Sequence, residues 1–146
     1  MNSLEASEIK KTGATFTPQA LAEFLAQKLV SYLNFKTDLV ALDPACGDGA
    51  LLNAIQNRLP NDAMRLIGYD TNAVYLQQAE KVLRQTKSVA LHQEDFLSVC
   101  SGQMDLFGGV TLSEFADIVI ANPPYVRTQI LGSERAQQLS RLYNLS

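Results

Sequence analysis

Four short clusters in this chain combine acceptor side chains with backbone that is either unusually free or unusually rigid. The first, Asp43-Pro44-Ala45-Cys46-Gly47-Asp48-Gly49, places a carboxylate at the head of a glycine turn. Glycine tolerates positive φ and lets a ligand approach the backbone closely, although an ordinary tight turn has the same look. The turn lacks the Gly-Lys-Ser/Thr of a phosphate loop, and Leu52 stands where Gly-x-Gly-x-x-Gly needs its last glycine. A ligand without phosphates therefore fits better than a nucleoside triphosphate or a dinucleotide. Asp70 is a second carboxylate, suited to accept both hydroxyls of a ribose or, alternatively, to cap the helix after it, a task Asn72 can take instead. Asp95-Phe96 sets a carboxylate beside a ring, a pair that can bond an amino group of a base and pack on its face; taken alone it is an ordinary loop.

The fourth cluster, Asn122-Pro123-Pro124-Tyr125, is the most informative. Two prolines fix the backbone. The Pro123 carbonyl is held beside the side-chain carbonyl of Asn122, so two acceptors can converge on one amino group. Tyr125 adds a flat ring on which a base can stack. As an isolated motif the tetrapeptide would be a rigid turn with an exposed tyrosine.

The elements that must carry these clusters alternate. Thr17-Pro18 reads as a helix start, with Thr17 as N-cap and Pro18 in the first turn. Ala20, Leu21, Phe24, Leu25, Leu29 and Leu33 follow at helical spacing, with Lys28 as the one polar intruder, giving a helix over about 18–33. Leu39–Leu42 is a buried strand ending at Asp43. Ala50, Leu51, Leu52 and Ile55 open a helix that stops near Pro60. Leu66–Tyr69 is a second strand, ending at Asp70, and a helix follows over about 72–85. Val89–Leu91 is a third strand. Residues 97–116 read as a long connection with one helical turn at Leu112–Phe115. Asp117–Ala121, Asp-Ile-Val-Ile-Ala, is the clearest strand and apolar enough to be buried on both faces. Residues 1–14 read as a loose polar arm, and Ser133–Tyr143 as a polar helix. Strands alternating with helices predict an α/β domain with a parallel sheet. Three of the four strands run into Asp43, Asp70 or Asn122, and Asp95 follows the third closely. Ligands in such sheets bind beyond the carboxyl ends of the strands, so the clusters share one location.

Composition narrows the classes. The chain has 146 residues and a net charge of −3, with Lys and Arg scattered rather than massed. That is not the basic face of a self-sufficient nucleic-acid module. No apolar run is long enough to span a membrane and no secretory signal opens the chain. Cys46 and Cys100 match no metal or disulfide spacing, which points to a reducing cytoplasm and no metal. Cys46 and His92 read as structural.

In order, Thr17-Pro18, the Asp43–Gly49 turn, Asp70, Asp95-Phe96 and Asn122-Pro123-Pro124-Tyr125 resemble the N6-adenine-specific DNA methyltransferases, across about residues 12–130. The order is similar to that of the subgroup whose cofactor half precedes the catalytic tetrapeptide and whose recognition domain is C-terminal. Many of those enzymes belong to restriction–modification systems. The resemblance implies a class I S-adenosylmethionine-dependent, Rossmann-like sheet with strand order 3-2-1-4. It further implies that Phe16, Thr17 and Pro18 lie against the methionine end of S-adenosyl-L-methionine, and that Asp43, Pro44, Ala45, Cys46, Gly47 and Gly49 hold its amino acid portion. Asp70 would bind the ribose, and Asp95 the adenine amino group with Phe96 packed nearby. Asn122 and Pro123 would take the target amino group, Pro124 would keep the turn rigid and Tyr125 would stack on the flipped base.

By the same resemblance, the 146 residues read as one methyltransferase domain, incomplete at its C-terminus. Such a piece is expected to bind cofactor without methylating by itself. Double-stranded DNA would be gripped by regions beyond this chain, a restriction nuclease or specificity subunit would be a partner, and the open fourth strand would favour self-association. Two alternatives stay open. One is a methyltransferase for protein glutamine or RNA, since release-factor glutamine methyltransferases also carry Asn-Pro-Pro-Tyr, though without the Asp-Pro-Ala-Cys start. The other is a non-catalytic cofactor-binding or assembly module.

Overall fold

The structure is a computed structural model that describes residues 16–33, 38–59, 64–83, 88–102 and 116–123, with Gln137 besides. The description below concerns the unit Phe16–Pro123. Its elements in chain order are α1 (Gln19–Val30), β1 (Leu39–Asp43), α2 (Ala50–Gln56), β2 (Met64–Tyr69), α3 (Ala73–Val82), β3 (Val89–His92), α4 (Phe96–Gly102) and β4 (Ile118–Val119). The four strands form one parallel sheet, as the alternating pattern predicts, in the order β3-β2-β1-β4 that the resemblance implies.

Register sets where the polar residues emerge. Asp43 pairs with Gly68 and Tyr69 with His92, so β1, β2 and β3 end nearly level. The chain leaves β1 for β2 on one side and returns to β4 on the other. The carboxyl ends of β1 and β4 therefore flank the reversal of strand order, where such sheets leave a crevice. α2 covers β1 and β2 and packs against α1, while α3 lies along β3. The core joins Leu52 and Ile55 of α2 to Ala41 and Leu66 of the sheet, closed by Leu83 after α3. On α1, Ala22 and Ala26, one turn apart, are buried and allow a close approach to α2.

The helical stripe on α1 is narrower than its apolar residues suggest. Leu25 and Leu29 pack on the core, but Leu21 and Phe24 are exposed. The intruding Lys28 places its ammonium 5.8 Å from the centre of the Phe24 ring, a cation–π contact that explains a lysine there.

Three expectations are corrected. Thr17 does not cap α1: the N-cap position is Pro18, whose carbonyl accepts the Leu21 and Ala22 N–H groups, with no side-chain cap. Residues 97–116 are not wholly a connection, since α4 fills Phe96–Gly102. This helix has no strong apolar periodicity and is held at its start by Asp95, which takes the Leu97 N–H on Oδ1 and the Ser98 hydroxyl on Oδ2, both at 3.1 Å. Finally, β4 is shorter than Asp117–Ala121. Hydrogen bonds from Asp117 N–H to the Val40 carbonyl and from Ile120 N–H to the Leu42 carbonyl continue its ladder. Its burial alternates: Ile118 and Ile120 are buried, but Val119 is 60% exposed. The arm 1–14, the turn Leu112–Phe115 and, apart from a helical Gln137, the segment Ser133–Tyr143 lie outside the described residues. Among the described residues no helix is long and apolar enough to cross a membrane.

Candidate functional site

The turn after β1 owes its shape to two glycines in the left-handed region, Gly47 at φ +53° and Gly49 at φ +82°, where a side chain would strain the backbone. The Cys46 N–H donates to the Tyr69 carbonyl at the end of β2, and the Gly49 N–H to the Cys46 carbonyl, each at 2.8 Å. Gly49 also meets α3, since a Cβ there would lie 3.0 Å from the Ala79 Cβ. The Cys46 side chain points into the sheet. A Cβ on Gly68 would sit 2.9 Å from its Sγ and 2.9 Å from Leu91 Cδ2, so a glycine inside β2 is what admits the thiol. Burial, followed by the charges of Asp43 and Asp70, pushes that thiol up to about 12. It is neutral at physiological pH and is no nucleophile.

Two carboxylates frame this turn. Asp43, the last residue of β1, is 1% exposed. Its Oδ1 accepts the Ala45 N–H at 3.1 Å. Its Oδ2 is buried, and among the described residues no donor reaches it. Burial lifts its carboxyl from 3.8 to about 7; the Ala45 N–H opposes the rise and the charge of Asp70 adds to it. Asp70 lies across the turn. Its Oδ2 accepts the Gly47 N–H at 2.9 Å and its Oδ1 the Asn72 N–H at 2.8 Å, so it clamps the glycine turn to the start of α3. It does not cap α3; Asn72 does, accepting from Val74 N–H at 2.9 Å and Tyr75 N–H at 3.4 Å. Each oxygen of Asp70 keeps a second lone pair for a ligand.

Phe16 stands over the turn. Its Cδ1 lies 4.0 Å from where a Cβ on Gly47 would be, and its ring meets Tyr75 edge-on at 5.0 Å. At the end of β3, Asp95 is the anchor of α4 already described. Phe96 packs edge-on against Tyr69 at 5.2 Å, and His92 stacks on the same ring at 4.7 Å.

Just beyond β4, the Asn122 Nδ2 amide donates to Thr17 Oγ1 at 3.1 Å, across 105 positions of sequence. The segment Phe16–Pro18 is thereby joined both to the glycine turn and to the end of β4. The structure thus gathers Phe16, Thr17, Asp43, Gly47, Asp70 and Asn122 around the carboxyl ends of β1, β2 and β4. Asp95 and Phe96 sit at the neighbouring end of β3. Pro123 follows Asn122 at the surface, and Pro124 and Tyr125 lie outside the described residues. Among the described residues no three His, Cys, Asp or Glu side chains gather as a metal would require.

Sequence reasoning missed three features. The Thr17–Asn122 bond has no local signal. The ring cluster of Tyr69, His92 and Phe96 spans three elements. Gly68, by contrast, carried a readable sign, because a glycine inside a strand marks close approach of a neighbour.

Known proteins resemble this chain in sequence and in fold. Residues 1–142 match the family model for N-6 DNA Methylase. The chain is 37% identical over 150 residues to the type II methyltransferase M.BanIII of Aneurinibacillus aneurinilyticus, covering 93% of this chain and 26% of that protein. A release factor glutamine methyltransferase of Fusobacterium nucleatum is 24% identical over 117 residues, covering 80% of this chain and 30% of its own length. The chain thus spans less than a third of either relative. Among solved structures, the methyltransferase subunit of a type I restriction-modification system from Streptococcus thermophilus superposes with a TM-score of 0.58 at 23% identity, over 77% of this chain and 23% of that one. A Listeria monocytogenes protein assigned to the class I S-adenosylmethionine-dependent methyltransferases gives 0.57 at 21% identity, over 92% and 41%. These likenesses establish the class I methyltransferase fold, and with the match along 1–142 the chain belongs to the N-6 DNA methylase family.

Proposed function

We propose that these residues form the cofactor half of an enzyme that methylates the N6 amino group of adenine in DNA, with S-adenosyl-L-methionine as donor. The observation that carries the reading is the pair of strand-end carboxylates around the glycine turn, one of them with a buried oxygen that no donor satisfies. A buried acceptor without a partner is costly. The cofactor's α-ammonium is a donor of the right sign to complete Asp43, directly or through one water, and its charge would draw the carboxyl back to the ionised form. The spare lone pairs of Asp70 suit the ribose hydroxyls. Phe16 walls the turn beside Thr17 and Pro18, and Pro44, Ala45, Cys46 and Gly49 set its path. Asp95, with Phe96 beside it, would take the adenine amino group of the cofactor in addition to anchoring α4.

When bound, S-adenosyl-L-methionine supplies an activated methyl group. The chain's contribution lies with the acceptor nitrogen. An adenine amino nitrogen is a poor nucleophile because its lone pair is delocalised into the ring. The carbonyls of Asn122 and Pro123 would accept its two N–H bonds, favour a pyramidal nitrogen and stabilise the positive charge that develops there. Pro124 would hold that turn and Tyr125 stack on the displaced base. No nucleophilic side chain is needed, in keeping with the buried, neutral Cys46 thiol.

Because the chain spans 26% of the type II relative, transfer and recognition are assigned to the full enzyme. The acidic balance of these residues leaves most phosphate contacts to other parts. A restriction nuclease or specificity subunit as partner, and the cytoplasm as compartment, belong to the same proposal. The test is incubation of the protein expressed from its complete gene with labelled cofactor and either DNA or a release factor, followed by nucleoside and peptide mass spectrometry. N6-methyladenine that disappears in Asn122→Ala is the expected result; methylglutamine in the release factor with unmodified DNA would transfer the reading to the protein-modifying class.

A further inference from the structure

We propose that Thr17 is a positioning residue that sets the orientation of the Asn122 amide, so that the cofactor wall and the substrate acceptor form one unit. The inference rests on the adenine-methylating reading and adds a role for Thr17 distinct from lining the cofactor pocket. The observation is the hydrogen bond from Asn122 Nδ2 to Thr17 Oγ1 at 3.1 Å.

A primary amide presents a donor at one end and an acceptor at the other, and a half-turn of the side chain exchanges them. Only one orientation serves an amino substrate. With Nδ2 on Thr17, Oδ1 is left as the acceptor for an incoming N–H, and among the described residues no donor occupies it. In the reverse orientation Nδ2 would confront the substrate's own N–H groups, donor against donor. The backbone cannot enforce the choice, because only a hydrogen-bond partner distinguishes the two ends of a side-chain amide. Thr17 is well placed to enforce it. It is half-buried, directly precedes the N-cap position of α1, and follows Phe16, whose ring is fixed against Tyr75 and above Gly47. A hydroxyl has one proton to donate. Any acceptor on the cofactor side that takes the Thr17 proton leaves the oxygen able only to accept from Asn122, which locks the productive orientation.

The experiment compares wild type, Thr17→Val and Thr17→Ser, each expressed from the complete gene. Three readouts are taken: cofactor affinity by calorimetry, kcat at saturating cofactor, and the Asn122 side-chain amide resonances in 15N spectra, assigned by their loss in Asn122→Asp. The expected result is a fall in kcat at saturating cofactor of about tenfold for Thr17→Val, the size of one hydrogen bond lost at a reacting group, over and above any loss of cofactor affinity. The Asn122 amide signals should move in Thr17→Val and return, with kcat, in Thr17→Ser. A weakened cofactor affinity in Thr17→Val with kcat unchanged would reduce Thr17 to a wall of the cofactor pocket. Asn122 signals that ignore both substitutions would overturn the proposal outright. Should the wild type leave adenine unmodified, the functional reading falls by itself, and the Asn122 signals still decide whether Thr17 holds the amide.

Discussion

Asp43 and Asp70 are the same residue type at the carboxyl ends of adjacent parallel strands, yet their surroundings are opposite. Asp70 has both oxygens engaged by backbone N–H groups, from Gly47 and Asn72. Asp43 is buried with one oxygen engaged and the other, among the described residues, left unpartnered. Asp70 is therefore built into the fold, and whatever it does for a ligand comes in addition. Asp43 carries a cost that the free protein leaves uncompensated, the kind of local deficit that marks a binding site. On the proposed reading, one topological position supplies both a clamp and a receptor.

Removing the clamp should have the largest effect. Asp70→Ala releases the Gly47 and Asn72 N–H groups together. A loss of about 2 kcal/mol of stability is expected from hydrogen bonds to a charged acceptor, with cofactor affinity reduced by roughly two orders of magnitude as the turn loosens. Chemical denaturation and calorimetry measure the two. Retention of both would show that the turn stands without Asp70.

Asp43→Asn should separate stability from binding. A carboxyl raised to about 7 in the fold and about 3.8 when unfolded binds more protons folded than unfolded between those values. Stability of the free protein therefore falls as pH rises from about 4 to 7, and the penalty is complete above about 7. Asn, which does not titrate, should flatten that slope and stabilise the free protein at pH 8 by about 1–2 kcal/mol, while cofactor affinity drops about tenfold or more. A melting temperature that falls at every pH would mean that Asp43 is compensated in the free protein.

Gly68→Ala sharpens the contrast from the side of the sheet. The added methyl meets Cys46 Sγ and Leu91 Cδ2 at 2.9 Å, and overpacking of this kind costs about 1–3 kcal/mol. Cys46→Ala should recover part of it in a double-mutant cycle, since it removes one of the two clashes; additive losses would show that the thiol is not what Gly68 accommodates. The smallest effect is expected at β4, whose Val119 is exposed on a strand that pairs only with β1 among the described residues. We propose weak self-association there. Light scattering over a concentration series should show a rising mass that Val119→Lys abolishes; a constant mass in the wild type removes the proposal.

Most of the fold could be read from sequence because its strands are short apolar runs that end in polar residues, as at Leu39–Asp43 and Met64–Tyr69. The glycine turn was equally legible, since Gly47 and Gly49 adopt the positive φ that their type permits. What was hidden depends on distance. α4 is held by an aspartate cap rather than by an apolar stripe, and a cap resembles a loop until the chain after it coils. The Thr17 hydroxyl reads locally as a cap of α1 and instead accepts from an amide 105 positions later. The orphaned oxygen of Asp43 was also out of reach, because the sequence marks the carboxylate but not which of its oxygens the turn will satisfy.

The most direct test of the central claim is calorimetric titration of S-adenosyl-L-methionine into wild type and Asp43→Asn at pH 5.5 and 7.5. If the cofactor completes Asp43, it binds the ionised form. Wild-type affinity should then rise roughly tenfold between the two pH values, with proton release at the lower one, while Asp43→Asn binds weakly and equally at both. Equal, pH-independent affinity of the two proteins would contradict the assignment of Asp43 as the cofactor's receptor.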